Sequence, residues 1–234
     1  MTGALFLVTE VAAVAGLALY RPALDGAAYV TGAGADHRVL LGALCEVVLL
    51  IAVVGTGVSL FPVLRRRHEA LALGYACGRL LEAAVIAVGI VGMLALVTLR
   101  GEAAAAGSGD GTPIGAAAAG SGDGAPFEAA ATALTAVHDW TFLLGPNFVL
   151  GANTLALAYA MHRSRLVPRP LTRLGLVGGA AICASAVAVL FGAYPQVSVA
   201  GSVAALPVFA WEVILAVRLL TRGFEPAAPA PAPA

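Results

Sequence analysis

"VLLGALCEVVLLIAVVGTGVSLFPVL", residues 39–64, contains one charged side chain, Glu46. A helix needs about 20 apolar residues to cross a bilayer, and this run exceeds that. Its apolar residues are continuous rather than alternating, and Ala is frequent, so a membrane β-strand is excluded. The whole chain has the same character: 60 % of its 234 residues are hydrophobic and 11 % are charged. Mean hydropathy is +0.94. Soluble domains carry roughly 25 % charged residues, and this chain has too few to cover a water-facing surface. Five more runs resemble the first: Gly3–Tyr20, Ala70–Leu99, Ala129–Met161, Leu174–Phe191 and Val197–Leu220. The expected fold is all-α, a polytopic six-helix transmembrane bundle over residues 1–222. The expected surroundings are a lipid bilayer. A net charge of zero argues against nucleic acid as a partner.

The arginines set the expected orientation. Arg65, Arg66 and Arg67 join the second and third runs, and Arg163, Arg165, Arg169 and Arg173 join the fourth and fifth. Arg218 and Arg222 close the last. The opposite side has Arg21, Arg38 and Arg100. Basic loops stay in the cytoplasm, so both termini are expected there. The first run conflicts locally, since nothing basic precedes it and Arg21 follows. A signal peptide would need a positive leading region; a natural start upstream of Met1 is the other explanation. All thirteen basic residues are Arg. With so much Ala and Gly, that suggests a GC-rich bacterial genome and a multi-pass protein of the plasma membrane.

Two segments stand apart. "AAAAGSGDGTPIG" (103–115) is followed at once by "AAAAGSGDGAPFE" (116–128), a tandem duplication. Such composition is expected to form a flexible extracytoplasmic loop over 101–128. One Asp per repeat is too few oxygen ligands for calcium. Residues 223–234 end in "PAAPAPAPA" and are expected to form a disordered Pro/Ala tail. Cys45, Cys77 and Cys183 belong to no CxxC or Cys/His cluster, so no zinc site or disulfide framework follows. Neither a metal nor a cofactor is expected.

Ionisable groups at membrane depth are costly, about 2.5–3.5 kcal/mol each, and usually face the bundle interior. From a rise of about 1.5 Å per residue, Arg79 and Glu212 lie roughly 15 Å from the cytoplasmic ends, and Glu82 and Asn147 roughly 20 Å. These four are the candidate ligand-binding residues. Arg79 and Glu82 are three apart and can pair on one helical face. Glu46, His138 and Asp139 lie nearer the outer face and are the candidate proton relay. Glu10 belongs at an intermediate depth.

"HDWTFLLGPNFVLGAN" (138–153) contains Gly145 and Pro146 inside a span. Proline lacks an N–H and leaves the Phe142 carbonyl without its helical donor, so a helix break is expected there. Broken helices at membrane depth occur where they line a cavity or where other groups satisfy the backbone. Asn147 is the expected satisfier and Trp140 the expected interface anchor. A simple kink, with His138 and Asp139 capping the segment, is the plainer reading.

"VLLGALCEVVLLIAVVGTGVSLFPVLRRRHEALALGYACGRLLEA" followed by "HDWTFLLGPNFVLGANTLALAYAMHRSRLVPRPLTRLGLVG" resembles the bacterial membrane proteins grouped as domain of unknown function 4386. The resemblance extends from "GALFLVTEVAAVAGLALY" to "LLTRGF". It implies a multi-helix integral membrane protein and brings no established activity. It makes Arg79, Glu82, Trp140, Gly145, Pro146 and Asn147 family-pattern positions. The duplicated loop and the non-basic start depart from the family pattern.

The leading functional expectation is a small-solute or proton-linked transporter or binding protein. In it Arg79 takes an anionic group or holds Glu82 and Glu212. The alternatives are a membrane enzyme acting on a lipid-like substrate and a structural or regulatory membrane protein with no small-molecule site. No hydrolase, protease or phosphate-loop pattern is present. Sequence alone sets neither ligand nor oligomeric state.

Overall fold

A computed structural model describes residues 1–32, 35–108 and 125–225. These contain helices and turns, and no strand occurs among them. The elements are α1 (Thr2–Tyr20), α2 (Gly26–Thr31), α3 (Asp36–Arg65), α4 (Glu69–Ser108), α5 (Ala125–Leu143), α6 (Leu150–Ser164), α7 (Arg169–Leu190) and α8 (Val199–Thr221). A π-helical turn, Leu144–Val149, joins α5 to α6. Six stretches are long and apolar enough to cross a membrane: α1, α3, α4, the α5–α6 pair, α7 and α8. They coincide with the six runs read from the sequence, and the chain is a multi-pass membrane protein.

Local chemistry sets the helix ends. Ser198 caps α8 by accepting from Gly201 N at 3.1 Å, and the Asp25 side chain accepts from Ala28 N at the start of α2. Such caps satisfy N–H groups that the first turn leaves free. At the end of α6, Leu166 N donates back to Met161 O and Arg165 N to His162 O. This is a Schellman closure. Its left-handed position is Arg165, with φ of 52°, where glycine is the usual occupant. Beyond α8, Glu225 N donates to Leu166 O at 2.8 Å and its carboxylate pairs with Arg218 at 3.0 Å. The chain is therefore tied down through Glu225. The helices also reach into the duplicated segment, α4 to Ser108 and α5 from Ala125. Residues 109–124 and 226–234, on which the expectations of a flexible loop and a disordered tail mainly fall, lie outside the described residues.

The chain divides into two compact units, and both contain pieces of several spans. The first comprises Met1–Glu10, Ile51–Ala83 and Leu143–Ala234. Its core is built from Phe6, Leu60, Tyr75, Met161, Trp211 and Leu215, with their neighbours. Glycine lets its helices touch. A Cβ at Gly178 of α7 would lie 2.7 Å from Val208 N and 2.8 Å from Val208 Cα of α8. Small residues at such crossings allow backbones to approach where lipid supplies no hydrophobic drive between helices.

The second unit comprises Val11–Leu50 and Ala84–Phe142. Near the ends of α3 and α4, Asp36 accepts from the Tyr29 hydroxyl and pairs with Arg100, whose guanidinium lies 5.7 Å from the Tyr29 ring centre. Burial first, and the Asp36 carboxylate second, hold the Tyr29 phenol above its ordinary range. In both units large apolar side chains point outward, among them Val11, Ile51, Leu80, Val91 and Val177. An apolar sheath of this extent is unstable in water and suits lipid tails.

Candidate functional site

The first unit buries a charged cluster centred on Arg79 of α4, which is 2 % exposed. Spacing along α4 places Tyr75, Arg79 and Glu82 on one face. Arg79 Nε donates to the Tyr75 hydroxyl at 3.0 Å. Nη1 donates to both oxygens of Glu82, at 3.2 and 3.1 Å. Nη2 donates to Glu212 Oε1 of α8 at 2.9 Å. The guanidinium carbon lies 5.4 Å from the Tyr75 ring centre and 5.7 Å from that of Phe6. These four hydrogen bonds hold a rigid fork, the geometry for which arginine is suited.

Two further polar groups complete the cluster. Asn153 Nδ2 of α6 donates to Glu82 Oε2 at 3.1 Å. Glu10 of α1 adds a third carboxyl group beside Glu212. Glycines make the room. A Cβ at Gly78 would fall within the Asn153 amide, and one at Gly57 of α3 would lie 3.2 Å from Arg79 Cβ.

Of the four candidate ligand-binding residues, Arg79, Glu82 and Glu212 meet. Asn147 is half-buried in the π-helical turn and makes no side-chain hydrogen bond to the cluster among the described residues. The amide that reaches Glu82 is Asn153, six residues further on. Depth estimates place residues by level along the bilayer normal. They leave open the direction in which a side chain points, and that direction selects Asn153. Tyr75 and Glu10 were also not singled out as partners. The i, i+4 spacing of Tyr75 and Arg79 was the available signal.

The expected break at Gly145 and Pro146 takes the form of a continuous π-helical turn. Leu150 N reaches back to Gly145 O. The wider turn accommodates a proline ring that would clash with the carbonyl four residues earlier in an α-helix. Pro146→Ala restores an N–H and lifts the need for the wider turn. Its expected effect is a stability change within about 1 kcal/mol of zero, read as thermal unfolding in detergent. A larger loss would mean that the proline ring packs against its neighbours.

The relay candidates meet in the second unit. His138 is 3 % exposed. Its Nε2 lies 3.9 Å from Glu46 Oε1 and its Nδ1 lies 3.6 Å from Asp139 Oδ1. Phe142 stacks on the imidazole, and the Tyr20 ring meets it edge-on at 5.4 Å. Among the described residues, Tyr20 Oη, Glu46 Oε2 and His138 Nδ1 are buried without a hydrogen-bond partner. Trp140 is 52 % exposed, as an anchor facing lipid or headgroups would be. Tyr20 was read only as the end of a span, because a tyrosine there also fits an interface anchor.

Among the described residues, no group of three or more His, Cys, Asp or Glu side chains could hold a metal ion. No curated protein and no solved structure matches the chain. A family model does match, over residues 1–223, and its description is Domain of unknown function (DUF4386). With nearly the whole chain covered, this multi-pass membrane protein belongs to that family.

Proposed function

We propose that the protein is a proton-linked carrier of small solutes in the plasma membrane, with both termini in the cytoplasm. The supporting observation is the charge imbalance of the buried cluster. One guanidinium faces three carboxyl groups, Glu82, Glu212 and Glu10. A purely structural arginine bridge needs one carboxylate. Two more in a medium that penalises charge call for protons or a cation. Four hydrogen bonds already run from Arg79 to protein groups, so the cluster suits a positively charged species better than an anion. Of the two roles expected for Arg79, taking an anionic group or holding Glu82 and Glu212, this reading keeps the second.

The test is proton flux in proteoliposomes carrying an internal pH dye, under an imposed pH gradient. Glu212→Gln keeps an oxygen for Arg79 and loses the ability to exchange a proton. It is expected to lower flux at least tenfold, about 1.4 kcal/mol in a barrier, with the helical fold retained. Glu10→Gln should act in the same direction. Flux equal to that of empty vesicles for wild type would defeat the carrier reading. Wild-type flux with unchanged Gln variants would defeat the site. The dense pairing of Arg79 with protein groups favours a second reading, a structural or regulatory membrane protein. On that reading the same Gln variants shift unfolding temperature and leave flux at the background level.

A further inference from the structure

We propose that His138 is a proton shuttle between the exposed Asp139 and the buried Glu46, with the Tyr20 ring packed edge-on against the imidazole. It rests on the proton-linked reading above only in requiring that protons move, and it concerns separate residues in the second unit.

The geometry is that of a relay. Imidazole has two nitrogens, and each faces a different carboxylate: Nδ1 faces Asp139 and Nε2 faces Glu46. The two carboxylates differ in environment. The Asp139 side chain is 68 % exposed and that of Glu46 is 11 % exposed. A proton arriving at the surface carboxylate therefore has one aromatic base between it and a buried acceptor. Among the described residues, Glu46 and Asp139 are the charged groups recorded against the ring. Tyr20 is the group from α1, Glu46 and the neighbouring Cys45 come from α3, and Asp139 comes from α5 itself. From α4, Gly89 stands behind the ring.

A structural ion pair would close to hydrogen-bonding distance. Distances of 3.6 and 3.9 Å are too long for that, and they are the lengths at which a bridging water or a small ring movement carries the proton. Three buried polar atoms without partners in one cluster are expensive as scaffolding. Phe142 stacked on one face leaves the ring edge, where both nitrogens lie, directed at the carboxylates.

The step balances. Protonated Asp139 gives its proton to Nδ1, the Nε2 proton passes to the Glu46 carboxylate, and Asp139 is left ionised. The imidazole is again neutral, with its proton now on Nδ1. The starting tautomer returns when Nδ1 gives its proton to a water and Nε2 takes one up from water, since ring rotation cannot carry a proton between the two nitrogens.

The experiment is proton flux in proteoliposomes of the full chain for wild type, His138→Ala and Asp139→Asn, without and with added imidazole. Wild-type flux should fall at least tenfold in His138→Ala and recover in part with imidazole, which enters the space left by the ring. Imidazole should not rescue Glu46→Gln. Asp139→Asn, at an exposed position that does not threaten folding, should slow flux severalfold. Wild-type flux with unaltered His138→Ala and Asp139→Asn rates would overturn the shuttle and leave the carrier standing. Loss in His138→Ala without rescue, alongside a normal Asp139→Asn, would make His138 a packing residue and overturn the shuttle. No flux in wild type would overturn both.

Discussion

Arg79→Met is expected to cost about 3–5 kcal/mol of stability, the range for removing one partner from a buried ionic pair. Methionine fills much of the space and keeps contact with the Phe6 and Tyr75 rings. What it cannot do is face Glu82 and Glu212, to which Arg79 gives three of its hydrogen bonds. Two carboxylates are then left together in an apolar interior, with Glu10 beside them. The measurement is unfolding in mixed micelles as the denaturing detergent fraction rises. Arg79→Lys should fall between wild type and Met, because a single ammonium cannot reproduce the planar fork. Adding Glu82→Gln and Glu212→Gln to Arg79→Met removes the stranded charge and should recover more than half of the loss. If the triple variant were no more stable than Arg79→Met, the cost would lie in packing and the electrostatic account of the cluster would fail.

Gly178→Val should be the second severe change. Its Cβ would meet Val208 N, Val208 Cα and Pro207 C within 2.9 Å. These are backbone atoms that no rotamer can move. α7 and α8 would have to separate, and overpacking of this kind costs typically 1–3 kcal/mol, sometimes more. Gly74→Ala is the matched control. Nothing lies within 4 Å of a Cβ there, and exchanging a helical glycine for alanine should stabilise by up to about 1 kcal/mol. Detergent unfolding of the two variants side by side separates close packing from helix propensity. Equal effects would show that Gly178 matters only as a weak helix former.

The fold was legible because hydropathy answers a single question, whether a segment can sit in lipid. The run containing Glu46 answers it alone, and α3 spans the same residues with a few more at each end. Polar residues were legible as a set for the same reason, since each is conspicuous against Leu and Val. Their pairing was only partly legible. Arg79 with Glu82 follows from spacing within one helix, whereas Glu212 needed a depth estimate from another. That estimate also selected Asn147, where the contact is made by Asn153. Glu10 had no secure depth, because where the first span begins sets it. Gly78 and Gly178 were hidden among 28 glycines, and only the neighbouring helix reveals which of them a side chain would fill.

On the proton-linked carrier reading proposed above, the surplus of carboxyl groups around Arg79 also has an electrical consequence. Charge displaced across a membrane works against its voltage, at about 2.3 kcal/mol per elementary charge per 100 mV for the full thickness. A proton reaching Glu212 from either side would traverse a fraction of that drop and feel the same fraction of the energy. Occupancy of the cluster would then follow membrane voltage as well as pH, and each protonation would appear as a capacitive current even if no solute crossed.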